Sequence, residues 1–385
     1  MSGNSSKRRY VAVGLENPDG SLNGSMYLLE TLSGMSFKPA GDVKKRDVVR
    51  PTMTNTGSRI GAKNWDLSLP VEAIGGGLNA NVVQDPAMHP LLLASGMVAE
   101  AAAVIHVTAL SGVPKFGTEL TNTTTPGVVG TIAHVVVNAS DPTMASLYVR
   151  NLQNAPVAAD ALAVDGQTAT TASIDDAICY RPESDRTLYP SLMAHCHYDS
   201  QRRIATRTLV DWSFDWQAGD VGKFSFSAKG LYQTPTNETL PSPIYPELEP
   251  PIAESAALTL GNYPTNSGTI EKLSIKFGAS IVAVPDINSP NGRDSYRIDG
   301  RNTTGSIDPE SVMLSAFNPF TMWENGEKAA IFCTIGSTPG ERISALVPGA
   351  QFTGISDKER AGSDAYDLPF DCTGQNDDEV YLFFH

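Results

Sequence analysis

Apolar and polar residues alternate with period two over much of the chain, the spacing of half-buried β-strands. The clearest run is Arg207–Trp216. There Thr208, Val210, Trp212, Phe214 and Trp216 share one face, while Arg207, Asp211, Ser213 and Asp215 share the other. After a turn at Gln217–Gly222, Phe224, Phe226 and Ala228 alternate with Lys223, Ser225, Ser227 and Lys229. This predicts an antiparallel hairpin with one dry face and one wet face, and Leu192–Tyr198 is its expected upstream partner. Strands are also predicted at Ser25–Leu29, at Trp65–Val71 with Trp65, Leu67, Leu69 and Val71 on one side, at Glu271–Ala283, at Ala329–Ile335 and at Glu379–Phe384. Two helix starts interrupt this pattern. Asp85-Pro86 supplies an N-cap and a first-turn proline ahead of Met88 and Leu91–Leu93, with Gly96 closing the segment. Asp308-Pro309-Glu310 predicts a second helix running toward Trp323, interrupted at Pro319.

Between the strands, residues 38–64 form a polar stretch carrying Lys44, Lys45, Arg46, Arg50 and Arg59, too long for a tight turn and of the length that functional loops have. Pairing with an acidic surface of another subunit is favoured for this loop over direct contact with nucleic acid. From Val104 to Ser173 the composition shifts to Thr, Val, Ala and Asn with few charges, and strand-like runs occur at Gly130–Val137 and Ser146–Arg150. Turn residues at Thr125-Pro126-Gly127 and Ser140-Asp141-Pro142 separate them. The expectation is a small all-β module, residues 104–175, inserted into a discontinuous domain of residues 1–103 and 176–385. A proline-rich connector runs from Pro235 to Pro251.

Charge narrows the classes of function. Among 385 residues, 28 Lys and Arg face 42 Asp and Glu, a formal net charge of −14, which argues against a protein that holds DNA by neutralising phosphates. A hydrophobic fraction of 41% supports folded cores rather than disorder. Cys179, Cys196, Cys333 and Cys372 have no paired spacing and read as buried free thiols. The basic start at Lys7–Arg9 is not followed by an apolar segment, and no apolar stretch reaches eighteen residues, so a soluble intracellular protein without a membrane partner is expected. His195, His197 and Asp199 fall on one strand face at a spacing a metal could use, but without further local ligands they read as polar-face residues. Gly75-Gly76-Gly77 followed by Ala80 fits a loose dinucleotide pattern, yet no helix follows at once and no βαβ alternation surrounds it, so a turn at a strand end is expected. With no phosphate-binding loop and no nucleophile elbow, neither a cofactor nor a catalytic site is expected.

The order of segments resembles siphophage tail tube proteins, also called major tail proteins. The matching pieces are Tyr10–Glu16 with Gly20, Gly61–Ser68 at the end of the basic loop, Pro90–Met97, Thr208–Gly230 with its turn at 218–220, Ile298–Gly305 ahead of Asp308–Glu310, and Asp377–Phe384. The resemblance covers residues 10–103 and about 178–385. The module at 104–175 departs from the simplest members and resembles the small β-domains that decorate phage tails. The resemblance implies a mainly β fold, a sandwich with a short flanking helix, joined into hexameric rings that stack as a tube. It implies the chain itself as principal partner, together with tape measure, terminator and distal tail proteins. It also implies location in the virion after synthesis in the host cytoplasm, and DNA passing without specific binding. Asp199, Asp211 and Asp215 are then candidates for the lumen wall, and the 38–64 loop for the contact between rings. Another β-rich virion protein, such as a tail terminator or a capsid decoration protein, remains an alternative. A carbohydrate-binding β-sandwich is a further one.

Overall fold

The computed structural model describes residues 9–46, 48–49, 51, 57–242, 245, 247–254, 257–264 and 268–385, and it is mainly β. The chain opens with an antiparallel pair, β1 (Arg9–Glu16) and β2 (Leu22–Leu29), and continues into a long hairpin of β3 (Ser36–Lys44) and β4 (Arg59–Glu72). A two-residue ribbon, β5 (Leu78–Asn79) with β6 (Val82–Val83), leads to the short helix α1 (His89–Leu93). Next come β7 (Met97–Thr108), β8 (Glu119–Asn122), β9 (Gly127–Val137), β10 (Ala145–Arg150), β11 (Ala161–Val164) and β12 (Gln167–Pro182). The predicted hairpin follows as β13 (Leu192–Tyr198), β14 (Gln201–Gln217) and β15 (Lys223–Tyr232). After β16 (Thr236–Asn237) and β17 (Ala257–Leu260), four strands form a bent hairpin: β18 (Ile270–Lys276), β19 (Ala279–Pro285), β20 (Arg293–Arg301) and β21 (Thr304–Pro309). The chain ends with α2 (Pro319–Asn325), β22 (Lys328–Ile335), β23 (Ile343–Phe352), β24 (Ser356–Arg360), β25 (Ser363–Cys372) and β26 (Tyr381–Phe384).

The principal sheet runs β3–β4–β15–β14–β18–β21–β25–β23, every neighbouring pair antiparallel. It continues through β26 into β12 and β7, while the first half of β14 carries β13, β1 and β2. The dry faces of these strands meet in one core in which Trp65, Trp212, Phe214, Phe224, Phe226, Phe277 and Phe370 are buried with Val11, Leu192, Val347 and Phe384. Each such side chain contributes about 1.5–3 kcal/mol by leaving water, so the alternation of Thr208–Trp216 settles which face of β14 points inward.

Several expectations require correction. The segment 38–64 is not one loop: β3 and β4 pair as far as Lys44↔Arg59, leaving only 45–58 as connection. A polar stretch can be a strand when both of its faces meet water, and periodicity then carries little signal. α1 begins one turn later than Asp85 implies, with Met88 at its N-cap and Pro90 in the first turn. The second helix does not start at Asp308. Residues 304–309 are strand β21, and the Asp308 carboxylate accepts from the amides of Glu271 and Lys272 where β18 is irregular against β21. α2 starts at Pro319 itself. The Asn318 side chain accepts from Thr321 N, and Gly326 closes the helix in the left-handed conformation at φ 65°. Finally, the run 271–283 breaks at Gly278, whose φ of 73° redirects the chain between β18 and β19.

Strands β7 and β12 pair from Met97↔Pro182 to Thr170↔Thr108 and lead the chain into and out of the 104–175 segment. Within that segment Ile105, Val107, Leu120, Ile132, Leu147, Val149, Leu162 and Val164 form a hydrophobic cluster of their own. Its other face is not free. Val104, Ala133 and Tyr148 pack with Phe332, Leu346, Tyr381 and Phe383 of β22, β23 and β26.

Candidate functional site

Two surfaces bear the residues that the sequence marks out. The first is the wet face of β4, β15, β14 and β18. Because paired antiparallel residues point the same way, the registers set Asp66 beside Lys229, Ser68 beside Ser227 and Asp211, Ser225 beside Ser213 and Lys276, and Glu72 beside Lys223, Asp215 and Ser274. Four carboxylates (Asp66, Glu72, Asp211, Asp215) therefore face four ammonium groups (Lys223, Lys229, Lys272, Lys276) among serines. This face is charge-balanced rather than acidic, although the chain as a whole carries −14.

The three aspartates proposed from sequence have different circumstances. Asp215 is exposed and lies 3.1 Å from Lys272 Nζ. Asp211 is half-buried and its carboxylate accepts from Ala279 N at 2.8 Å; burial pushes its pKa up, against the lowering effect of that hydrogen bond. It holds the bend that follows Gly278. Asp199 lies elsewhere: β13 ends at Tyr198, and Asp199 occupies the tight turn to β14 with φ 54°. Ten residues of β14 separate Gln201 from Asp211, about 33 Å of strand, so Asp199 does not join the other two.

The sequence pattern did not reveal what covers part of this face. The β19–β20 ribbon folds back over it, where Tyr296 and Ile298 cluster with Leu209 and Leu231. Arg207 Nη1 meets Asp294 at 2.6 Å, and Arg293 Nη1 donates to Asn64 Oδ1 at 2.7 Å. The signal for the ribbon was Gly278, a residue free to take φ above zero inside an otherwise regular alternation. The Ser213, Ser225 and Asp215 end stays uncovered by this cluster.

The second surface is the outer end of the β3–β4 hairpin. The main-chain bond from Lys63 N to Asn291 O ties the hairpin to the ribbon, and beyond it Val43 and Ile60 pair across the strands while remaining 58% and 56% exposed. Val48 and Val49 are exposed as well. Lys44, Lys45, Arg46 and Arg59 lie beside them along the chain, with Asp42 3.9 Å from Lys44 Nζ, so the tip joins apolar side chains to an excess of cations. Arg50 lies outside the described residues.

The remaining candidates have structural explanations. Among the described residues no group of three or more His, Cys, Asp or Glu could hold a metal ion. His195 contacts Met193 Sδ at 3.2 Å, and burial lowers its pKa to about 4. Gly75–Gly77 is a close backbone crossing: a Cβ at Gly76 would stand 1.8 Å from Gln84 O, and one at Gly75 2.3 Å from Gly340 O. Cys179, Cys196 and Cys333 are buried free thiols, with Cys372 half-buried. No helix among the described residues is long and apolar enough to cross a membrane.

The described residues form a many-stranded antiparallel β fold from which the β3–β4 hairpin extends with apolar side chains left in water. The family described as phage tail tube protein matches residues 7–374, and the chain belongs to that family. It is accordingly a structural protein of the phage tail that assembles with its own copies and other tail proteins into a tube. No curated protein matches the chain.

Proposed function

We propose that the chain forms hexameric rings, that these rings stack into the tail tube of a long-tailed siphovirus-type phage, and that the tube conducts double-stranded DNA out of the virion. The observation that supports this best is the β3–β4 tip, where a cross-strand Val43/Ile60 pair stays in water on a single chain and would be covered by a neighbouring copy. Edge strands point the same way. Among the described residues β2 pairs only with β1 and β3 only with β4, so each offers main-chain groups that ring closure can satisfy. The hairpin is the connector between rings. Tape measure, terminator and distal tail proteins meet the tube inside and at its ends, and the 104–175 segment projects outward.

The lumen wall in this reading is the uncovered end of the balanced, serine-rich face, with Asp215 on it and Asp211 beneath the ribbon. Asp199, at the far end of β14, marks another level of the ring. A wall without excess positive charge offers phosphates no fixed partners, so DNA can slide. Negative-stain microscopy of the purified protein tests the reading: long tubes are expected, and closed rings or trimers would favour a terminator or capsid decoration role instead. For the wall, Asp215→Lys with Ser225→Lys should slow genome ejection while tubes still form; unchanged infectivity counts against this face as the lining.

A further inference from the structure

An apolar groove lies at the opposite end of the hairpin from its exposed tip. Its cavity of about 260 Å³ is lined by Leu28, Val71, Ile74, Ala87, Met88 and Leu248, with carboxylates of Glu30, Glu72 and Asp85 around it. Glu247 and Glu249 flank Leu248 and are exposed. Of the cations near these acids, Arg9 lines a neighbouring pocket with Glu30 and turns its guanidinium onto the Tyr198 ring and Met35 O. Lys223, beside Glu72 in the register, is held by Asp220 at 2.6 Å, and burial keeps His89, the neighbour of Asp85, below its ordinary pKa. Groove and tip are therefore complementary twice over, apolar floor to apolar pair and acidic rim to basic flank.

Their placement on one element gives the complementarity a direction. Ile60 and Val71 both belong to β4, eleven residues apart, about 36 Å at roughly 3.3 Å per residue. A strand held straight by β15 along its inner part cannot bring its own tip to its own groove, so the contact is made between copies. A tip-to-groove contact is heterologous: each copy offers one of each, and repeating it moves along the strand direction without closing.

We propose that this groove receives the β3–β4 tip of a second copy of the chain in the next ring, with Val43 and Ile60 on the apolar floor and Lys44, Lys45 and Arg59 against Glu30, Glu72 and Asp85. The proposal rests on the reading of the hairpin as the connector between rings and identifies its receptor.

Three full-length variants test it: a reversed tip (Lys44→Glu, Lys45→Glu, Arg59→Glu), a reversed groove (Glu30→Lys, Glu72→Lys, Asp85→Lys) and both sets together. Each is first checked for native circular dichroism, then assayed by sedimentation and negative-stain microscopy. Either reversal alone should raise the critical concentration for tube formation about tenfold or more, and the combined chain should return toward the unmodified value. If the reversed tip blocks assembly but the reversed groove assembles normally, the groove is not the receptor, while the hairpin keeps its axial role. If the reversed tip assembles normally, the connector reading itself falls. Failure of the combined chain to recover overturns the pairing. Should a reversal disturb folding, Ile60→Cys with Ala87→Cys gives an independent readout: oxidised tubes should yield a ladder of covalent multimers that neither single cysteine gives, and absence of that ladder refutes the contact.

Discussion

Two aspartates four residues apart on the same strand face show how little a residue's type says about its work. Asp215 meets Lys272 at the surface, where an exposed pair contributes little because water already solvates both charges. Asp211 is half-buried and satisfies Ala279 N at the point where the chain leaves the principal sheet. Removing it leaves a main-chain donor without its partner, a loss of about 1–3 kcal/mol. Asp211→Ala should therefore lower stability by that amount in urea unfolding, while Asp215→Ala should stay within about 0.5 kcal/mol of the unmodified protein. Equal effects would show that the ribbon does not depend on Asp211.

At the scale of elements, the bend at Gly278 makes a comparable prediction. Its φ of 73° is in the left-handed region, and a Cβ there would lie 2.2 Å from Asn302 O, so the turn between β20 and β21 leaves no room to relax. Gly278→Ala should destabilise by more than the usual 1 kcal/mol for a strained position and should loosen β19–β20 first, as faster amide exchange at Ile281 and Tyr296 than at Trp212. What could be read from sequence divides along physical lines. β4, β14 and β15 were legible because one face of each is in the core and the alternation is enforced by burial, whereas β26 is buried on both faces and shows instead as a continuous apolar run. β3 was not, because most of its residues are exposed on both faces. Asp308 was mistaken for a helix cap because a carboxylate that accepts backbone amides looks the same in sequence at a helix start and at an irregular strand pairing. The charge balance of the wet face follows only from registers, which place Lys223 beside both Glu72 and Asp215.

For the molecule as a whole, the docking of the 104–175 segment brings His134 and His385 beside Phe332 and Tyr148, while His195 lies apart on β13. His134 stacks on Phe332 with ring centroids 4.3 Å apart, and burial lowers its pKa to about 4; His195 is likewise at about 4 and His385 at about 3. Unfolded, each returns toward 6.5, so between about pH 6.5 and 4 the unfolded chain holds more protons and stability falls as pH is lowered. The raised carboxyls of Glu16, Asp211 and Asp308 act in the opposite sense as they take up protons in the folded state. His134→Gln should reduce the loss of melting temperature between pH 7 and 5, and an unchanged profile would exclude His134 as a contributor. Beside His134, Tyr148 packs edge-on against Phe332 and Phe383 at 4.8 and 5.5 Å, and Arg342 Nη2 donates to Asp175 at 2.6 Å. The segment is thus part of the wall that keeps Phe332, Leu346 and Phe383 dry, as well as a unit with its own core. Tyr148→Ala should cost about 3–5 kcal/mol, as large-to-small changes at buried aromatic positions do. Excising 104–175 should lower the melting temperature even if tubes still form under the microscope. Stability and assembly are separate readouts: tubes with unchanged melting would show that the docked face contributes nothing, whereas loss of tubes from a chain that remains folded would place the segment in the assembly contacts rather than on the outside.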